Sequence, residues 1–409
     1  MSAAAAPPKI TGSPPSSSDV VIVGGGIIGS AIAYFLASDS GFGGSVTVIE
    51  RDPSYRESST ALSAASIRQQ FSVPENIAMS LYGIRFLREA AERLAVDGDD
   101  GPALSLVEGG YLFLATPDTR GILERNHALQ TAAGADIAWL EPADLKARFP
   151  WLTTDDVCAG TLGLSGEGWF DAYALLQGFR KKARSLGVTY VDDEVTGFDR
   201  AGGGTGDVAA VLTRSGGRIA CGTVVNAAGA RAGDVAALAG VELPVRPRRR
   251  CVFVFDCREP VPGLPLMVDP SGVYVRPEGD RFICGVSPDE ADDPDTLALD
   301  VDYPLFDDHI WPILAHRVPA FEAIKQVGAW AGLYEVNTLD HNAILGPHPD
   351  ARNLLFANGF SGHGLQQAPA VGRGIAEWIV HGRWVSLDLS AFSYDRIPAN
   401  RPVRELNVV

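Results

Sequence analysis

The chain has 409 residues, 46% of them apolar, and a formal net charge of −16. That length exceeds one typical domain, so two domains with a sizeable core are expected. The negative charge argues against broad nucleic-acid contact and against docking on anionic membranes, and no apolar run reaches the length of a membrane span.

Residues 1–18 are small and rich in Pro and Ser, and a disordered leader is expected there. They include one Lys and no Arg and lack the apolar core of a secretory signal. A mitochondrial transit peptide would be Arg-rich, so a cytoplasmic location is expected. Val20–Val23 is a β-branched run suited to a strand buried on both faces. Gly24-x-Gly26-x-x-Gly29 follows at once. In such a motif the first glycine permits a tight turn, the second lets the backbone approach a pyrophosphate, and the third lets helix pack close on strand. Ile28, Ala31, Ile32, Phe35 and Leu36 recur at helical spacing. The helix N-terminus would offer free N–H groups to phosphates. Val46–Ile49 predicts a second strand, and it ends in Glu50, about 20 residues past the last glycine, where a carboxylate can accept bonds from ribose hydroxyls. A lone glycine motif is weak, but strand, spacing, helix and terminal acid agree on a dinucleotide site.

Ser58, Ser59, Thr60 and Ser63 come next. Small hydroxyls beside such a turn can bond phosphate oxygens or form a plain polar loop, and the residues alone leave both open. Ser72-x-x-Glu75 with Pro74 predicts a capping box on a helix whose apolar stripe is Ile77, Leu81, Ile84, Leu87, Ala91 and Leu94. Gly109–Ala115 reads as a strand and 121–133 as a helix, with no cofactor signature, as if a second domain were inserted into the first. Asp171 should cap a helix over 172–185 and Gly187 stop it. Residues 211–214 and 218–221 read as a hairpin. Thr223–Gly229 is a buried strand running into a glycine; strand carboxyl ends line the crevice of a doubly wound sheet, so Gly229 is expected beside a cofactor.

Pro244–Arg250 carries Arg246, Arg248, Arg249 and Arg250. They could bind an acidic substrate, but a solvated edge that blocks strand pairing is the favoured reading. Residues 272–276 and 281–285 pair as a hairpin, so the second domain is β-rich. Asn353–Ala357 predicts a final strand, followed by the glycine turn Gly359–Gly364 and a helix ended by Gly382. That helix N-terminus can face developing negative charge, as on the N1–C2=O edge of a reduced flavin, or His363 can serve as its cap. The five cysteines are scattered without a CxxC pair, as expected of reduced, mostly buried thiols, and no metal-ligand spacing is present.

These residues resemble a known family. VIVGGGIIGSAIAYFLA with VIER, the middle VVNAAG, and GFSGHGLQQAPAVGRGIAEWI are together similar to the FAD-dependent D-amino-acid oxidase superfamily, and the sarcosine and dimethylglycine oxidase/dehydrogenase branch looks closest. SSTALSAASIRQQFSVPENI and SGHGLQQAPAVGRGIAE resemble the FAD-dependent oxidoreductase domain-containing proteins, a group with bacterial members and a mitochondrial one associated with respiratory-complex assembly. The resemblance covers Asp19 to about His381.

It implies an α/β fold: a Rossmann-like FAD-binding domain of GR2/DAO type with an interleaved β-rich α+β substrate domain. The implied FAD-binding domain is 19–104, 164–242 and 334–385; the substrate domain is 105–163 and 243–333; 386–409 is a C-terminal tail. Gly24, Gly26, Ile27, Ile28 and Gly29 would hold the ADP pyrophosphate, and Glu50 and Arg51 the adenosine ribose. Ser59, Thr60 and Ser63 would continue along phosphate and ribitol, and Val195 would meet adenine through its backbone. Ala227, Ala228 and Gly229 would line the cofactor. Gly359, Phe360, Ser361, Gly362, His363, Gly364, Leu365 and Gln366 would wrap the isoalloxazine.

The chain departs from the branch in three places. Gly332 stands where many sarcosine oxidases tether FAD through Cys, and near Ser63 there is no His of the kind the dehydrogenases use, so non-covalent FAD is expected. Arg68 matches an arginine that holds the substrate carboxylate, or touches flavin in a different pocket, but Gln366 stands where the partnering Lys would be. The implied activity is oxidation of a C–N bond in an amine or an N-substituted or D-amino acid by hydride transfer to flavin, followed by imine hydrolysis. Arg68, Tyr334 and Gln366 are the candidate catalytic residues, with Tyr274 and Arg276 behind them. Oxygen or an electron carrier would reoxidise the flavin. Two alternatives stay open: an FAD-bound assembly or scaffold factor with little turnover, and a hydroxy-acid dehydrogenase on the same fold.

Overall fold

A strand that is apolar on both faces needs neighbours on both edges and cover above and below. The computed structural model describes residues 14–201 and 206–406 and gives Ser17–Val23 both. This strand pairs in parallel with Val46–Glu50 on one side and Arg218–Asn226 on the other. The eight-stranded sheet runs Ile344–Pro347, Leu354–Asn358, Arg218–Asn226, Ser17–Val23, Val46–Glu50, Thr189–Asp192, with Val208–Thr213 and Val195–Arg200 attached as an antiparallel extension. The strand begins at Ser17, inside the expected leader; Ser18 Oγ donates to Val20 O at 2.9 Å. Of the rest of that expectation, residues 1–13 lie outside the described residues.

The helices Ile27–Ser38, Ala172–Ser185 and Gly364–His381 cover one face with a core that includes Ile32, Phe35, Phe179 and Ile375. First and last helices meet closely because a Cβ on Gly372 would lie 2.8 Å from the Ala31 carbonyl carbon. Asp171 caps its helix through Ala174 N at 2.8 Å, as expected. None of the described helices is long and apolar enough to cross a membrane.

The second eight-stranded sheet runs Ile324–Asn337, Val245–Cys257, Arg281–Gly285, Tyr274–Glu278, Leu266–Val268, Tyr111–Ala115, Ala159–Gly163, Ile137–Leu140. One face packs on Phe306, Leu314 and Phe321. The cross-strand pairs Tyr334↔Arg248, Tyr274↔Gly285, Val268↔Tyr274 and Val268↔Phe113 set the opposite face. Strand Ile324–Asn337 passes through the 333/334 boundary implied by the resemblance.

Two local expectations fail. The arginine run does not block pairing: Arg246–Arg250 pair along Gly332–Val336 on one side, and on the other a loop reaches them, Arg250 ion-pairing with Asp293 at 2.8 Å and Arg248 with Asp295 at 3.1 Å. Matched carboxylates let the charges sit in a paired strand. Nor do Ser72 and Glu75 form a capping box. The helix Pro74–Arg88 starts from Val73, and Ser72 N and Oγ both donate to Glu405, at 2.6 and 2.7 Å. Glu405 reaches this helix start because the C-terminal segment is pinned by the buried Arg396–Asp340 pair at 2.8 Å. A carboxylate at orphan N–H groups stabilises a helix start whichever part of the chain supplies it.

Candidate active site

The carboxyl ends of the parallel strands open into a cleft whose empty volume is about 1420 Å³ with its mouth included. Its floor is the first glycine turn. Gly24 has φ +99°, and a Cβ there would collide with the Ala227 carbonyl. Gly29 lies beneath the turn rather than in the cleft, where a Cβ would collide with Gly24 O. Helix Ile27–Ser38 has no side-chain cap. Ile27 N reaches Thr60 Oγ1 at 3.3 Å, and the helix start opens into the cleft through Gly26, Ile27 and Ile28. Glu50 closes the end, accepting from Gly25 N and Asp52 N at 2.8 Å each, and burial raises its pKa.

Arg51, Ser59, Thr60, Ser63, Val195, Ala227, Ala228 and Gly229 line the same cleft, as do Phe360, Gly362, Gly364 and Leu365 at the start of the last helix. Gly359 and Ser361 shape that turn from behind, Ser361 Oγ accepting from Asn337 N at 3.0 Å. Sequence reasoning missed Tyr55, Arg231 and Glu335, which also line the cleft. Glu335 had a visible signal, an acid inside an apolar run; Tyr55 and Arg231 had none. Among the described residues the buried Tyr55 hydroxyl has no hydrogen-bond partner.

A second group adjoins the first. Arg68 follows the short strand Ser66–Ile67, which pairs with Gly168–Trp169. Gln366 does not line the cleft: its Oε1 accepts from Arg68 N at 2.8 Å and from Ser80 Oγ at 3.2 Å, which fixes Arg68. The Arg68 guanidinium carbon lies 4.6, 5.2 and 5.9 Å from the ring centres of Phe71, Phe113 and Tyr111. Its Nη2 lies 3.3 Å from His363 Nε2. Burial, with help from Arg68, pushes the His363 pKa down to about 3, so the ring is neutral. Arginine only donates, so Nε2 accepts and Nδ1 carries the proton. His363 therefore serves Arg68 and does not cap the helix with its side chain. No carboxylate forms an ion pair with Arg68 among the described residues. The nearby buried acid, Glu167, is bound to Gln69 N at 2.6 Å and Gln70 Nε2 at 2.8 Å, and burial pushes its pKa up to about 7.

The second sheet supplies the opposite wall. Tyr111 Oη meets Ser66 Oγ at 3.0 Å. Tyr274 lies over Gly285, where a Cβ would come within 2.7 Å of its hydroxyl. Tyr334 lines the cleft against Gly362, with Arg250 5.1 Å from its ring centre. Burial raises all three tyrosine pKa values, so they remain hydroxyl donors. Arg276, on the same strand face as Tyr274, has its donors taken up by other protein groups. Its Nε and Nη2 hold Ala64 O at 3.1 and 2.8 Å, and Nη1 holds Pro277 O and Glu278. It anchors the loop that carries Ser63. Gly332, two residues before Tyr334 on the same strand face, lies against the loop ahead of Ser63, where a Cβ would come within 3.0 Å of Leu62 O.

The donor set fits a flavin dinucleotide. A glycine floor, an open helix start, a strand-end acid and a second helix start lie along one cleft that ends beside an unpaired cation. Comparison with known proteins agrees. The profile of the family "FAD dependent oxidoreductase" matches residues 19–378. The chain is 44% identical to FAD-dependent oxidoreductase domain-containing protein 1 of Xenopus laevis over 94% of its own length and 83% of the relative's. It is 29% identical to the mitochondrial sarcosine dehydrogenase of Mus musculus over 92% of its length, though only 42% of that protein. The crystal structure of L-proline dehydrogenase from P. horikoshii superposes with a TM-score of 0.83 at 26% identity, covering 95% of this chain and 100% of that one.

Proposed function

The chain belongs to the family of FAD-dependent oxidoreductases, and from that premise we propose that it oxidises the C–N bond of a small amine or amino acid carrying a carboxylate. Bound FAD would accept the hydride equivalent, and the imine would hydrolyse in water. The observation that carries the reading is Arg68, a cation within an aromatic cage, beside a neutral histidine and without a carboxylate. Such a cation is satisfied by an anionic ligand.

The residues then divide the work. Arg68 holds the substrate carboxylate, Gln366 and His363 hold Arg68, and the Tyr274 and Tyr334 hydroxyls close the pocket. The first glycine turn, Thr60 and Glu50 hold the dinucleotide, and Phe360–Leu365 hold the ring. FAD is non-covalent in this reading, because Gly332 offers no sulfur and no histidine stands near Ser63 in the sequence. A hydroxy acid would satisfy Arg68 equally well, so the test must separate the classes. Purified yellow protein is mixed without air with N-methyl, cyclic and D-amino acids and with 2-hydroxy acids, and the visible flavin band is followed. Bleaching by an amino acid supports the proposal; bleaching by hydroxy acids alone replaces it; bleaching by dithionite alone refutes it. Admitting air to the reduced protein then separates oxygen from another acceptor.

A further inference from the structure

The cleft wall contains an acid that the proposed reaction does not use. Glu335 follows Tyr334 on strand Ile324–Asn337 and lines the same cleft as Phe360, Gly362 and Leu365. Its Oε2 accepts from Gly359 N at 3.2 Å, and its backbone oxygen accepts from Ser361 N at 3.1 Å. It is thus joined to the glycine turn ahead of the last helix through Gly359 and Ser361, while Glu335 itself lines the cleft. We propose that Glu335 is the proton-accepting group of the flavin site, taking up a proton when the bound ring is reduced. This rests on the flavin reading above.

Two electrons and one proton convert a neutral flavin ring to a reduced ring with one negative charge. A carboxylate in the same low-dielectric wall would repel that charge, and like charges in one site push a proton onto the acid. The balance is then two electrons and two protons: one proton to the ring and one from water to the Glu335 carboxylate. The electrons come from substrate in turnover and from dithionite in the test. Burial pushes the Glu335 pKa up to about 8, so below that pH the group already holds its proton, and uptake coupled to reduction lies above it.

The groups around it leave this role open. On the neighbouring strand, Arg246 and Arg248 flank its partner Pro247, and both are engaged by Asp295. On the glycine turn, His363 is neutral. On the short turn Gly229–Arg231, Arg231 lines the cleft. On its own strand the neighbour is Tyr334, a protonated hydroxyl.

The test is the midpoint potential of the FAD-loaded protein against pH, from about pH 6 to about pH 10, for wild type, Glu335→Gln and Glu335→Asp. One extra proton per two electrons steepens the slope by about 30 mV per pH unit. The expected result is a steeper interval in wild type above about pH 8, absent in Glu335→Gln and present at another pH in Glu335→Asp. In addition, the oxidised wild-type spectrum should shift with a midpoint in that region. Equal slopes in folded, FAD-loaded wild type and Glu335→Gln overturn the assignment and leave the amine reading intact. If Glu335→Gln does not retain FAD, a wild type with neither a steeper interval nor a spectral shift overturns it. Failure of the wild type itself to bind FAD overturns both.

Discussion

The two ends of the site are built on different principles. At the glycine-turn end the backbone makes the site: free N–H groups, carbonyls in close approach, and the strand-end acid Glu50 bound to them. At the Arg68 end side chains make it, drawn from the segment after Ser66–Ile67, from the second sheet and from the start of the last helix. Backbone sites tolerate no side chain where a Cβ would collide. Side-chain sites tolerate substitution structurally and fail in affinity. The difference predicts that mutations at the first end abolish cofactor binding and those at the second change substrate recognition.

The largest effect should come from Gly29→Val. Its Cβ would collide with Gly24 O, and overpacking of that kind costs about 1–3 kcal/mol or more. The protein should purify colourless, with no flavin band. Arg68→Met should keep the flavin band and lose substrate. Removing one partner of a buried charge pair costs about 2–5 kcal/mol, so kcat/KM for a carboxylate substrate should fall by about 30-fold to several thousand-fold, with FAD content unchanged. An equal loss for an amine without a carboxylate would break the comparison.

Glu167→Gln should act on the pH dependence of stability. The folded pKa of Glu167 is raised to about 7 by burial, above its unfolded value. Its contribution is therefore fully present below about pH 4.5 and is lost as pH rises through about 7. In urea titrations wild type should lose stability across that window, and the variant should show a flatter profile, by on the order of 3 kcal/mol. The smallest effect belongs to Glu405→Ala, which removes a helix cap supplied from the far end of the chain. About 1 kcal/mol of stability should be lost, read from the urea midpoint.

The glycine-turn end was legible in the sequence because its geometry requires glycine at fixed spacing, and a strand-end acid has one place to stand. Asp171 was legible for the same reason: its cap is three residues away. The other end was only partly legible. Arg68 was found through resemblance, but Phe71, Tyr111 and Phe113 around it depend on the register between strands far apart in sequence. The misread arginine run is the same lesson, since Asp293 and Asp295, which neutralise it, come from a distant loop. Arg276 was misread because its partner Ala64 O lies in the other half of the chain. Ser72 was misread because Glu405, although 333 residues away, takes the hydroxyl that a local rule assigned to the helix.

The central claim is that a carboxylate-bearing amine reaches the flavin through Arg68. The most direct measurement is an anaerobic spectral titration of wild type and Arg68→Met with an N-methyl amino acid and with the matching amine that lacks the carboxylate. The account predicts bleaching of wild type by the amino acid, much weaker bleaching of the variant, and no difference between the two proteins with the plain amine. Equal bleaching of both proteins by the amino acid would contradict it.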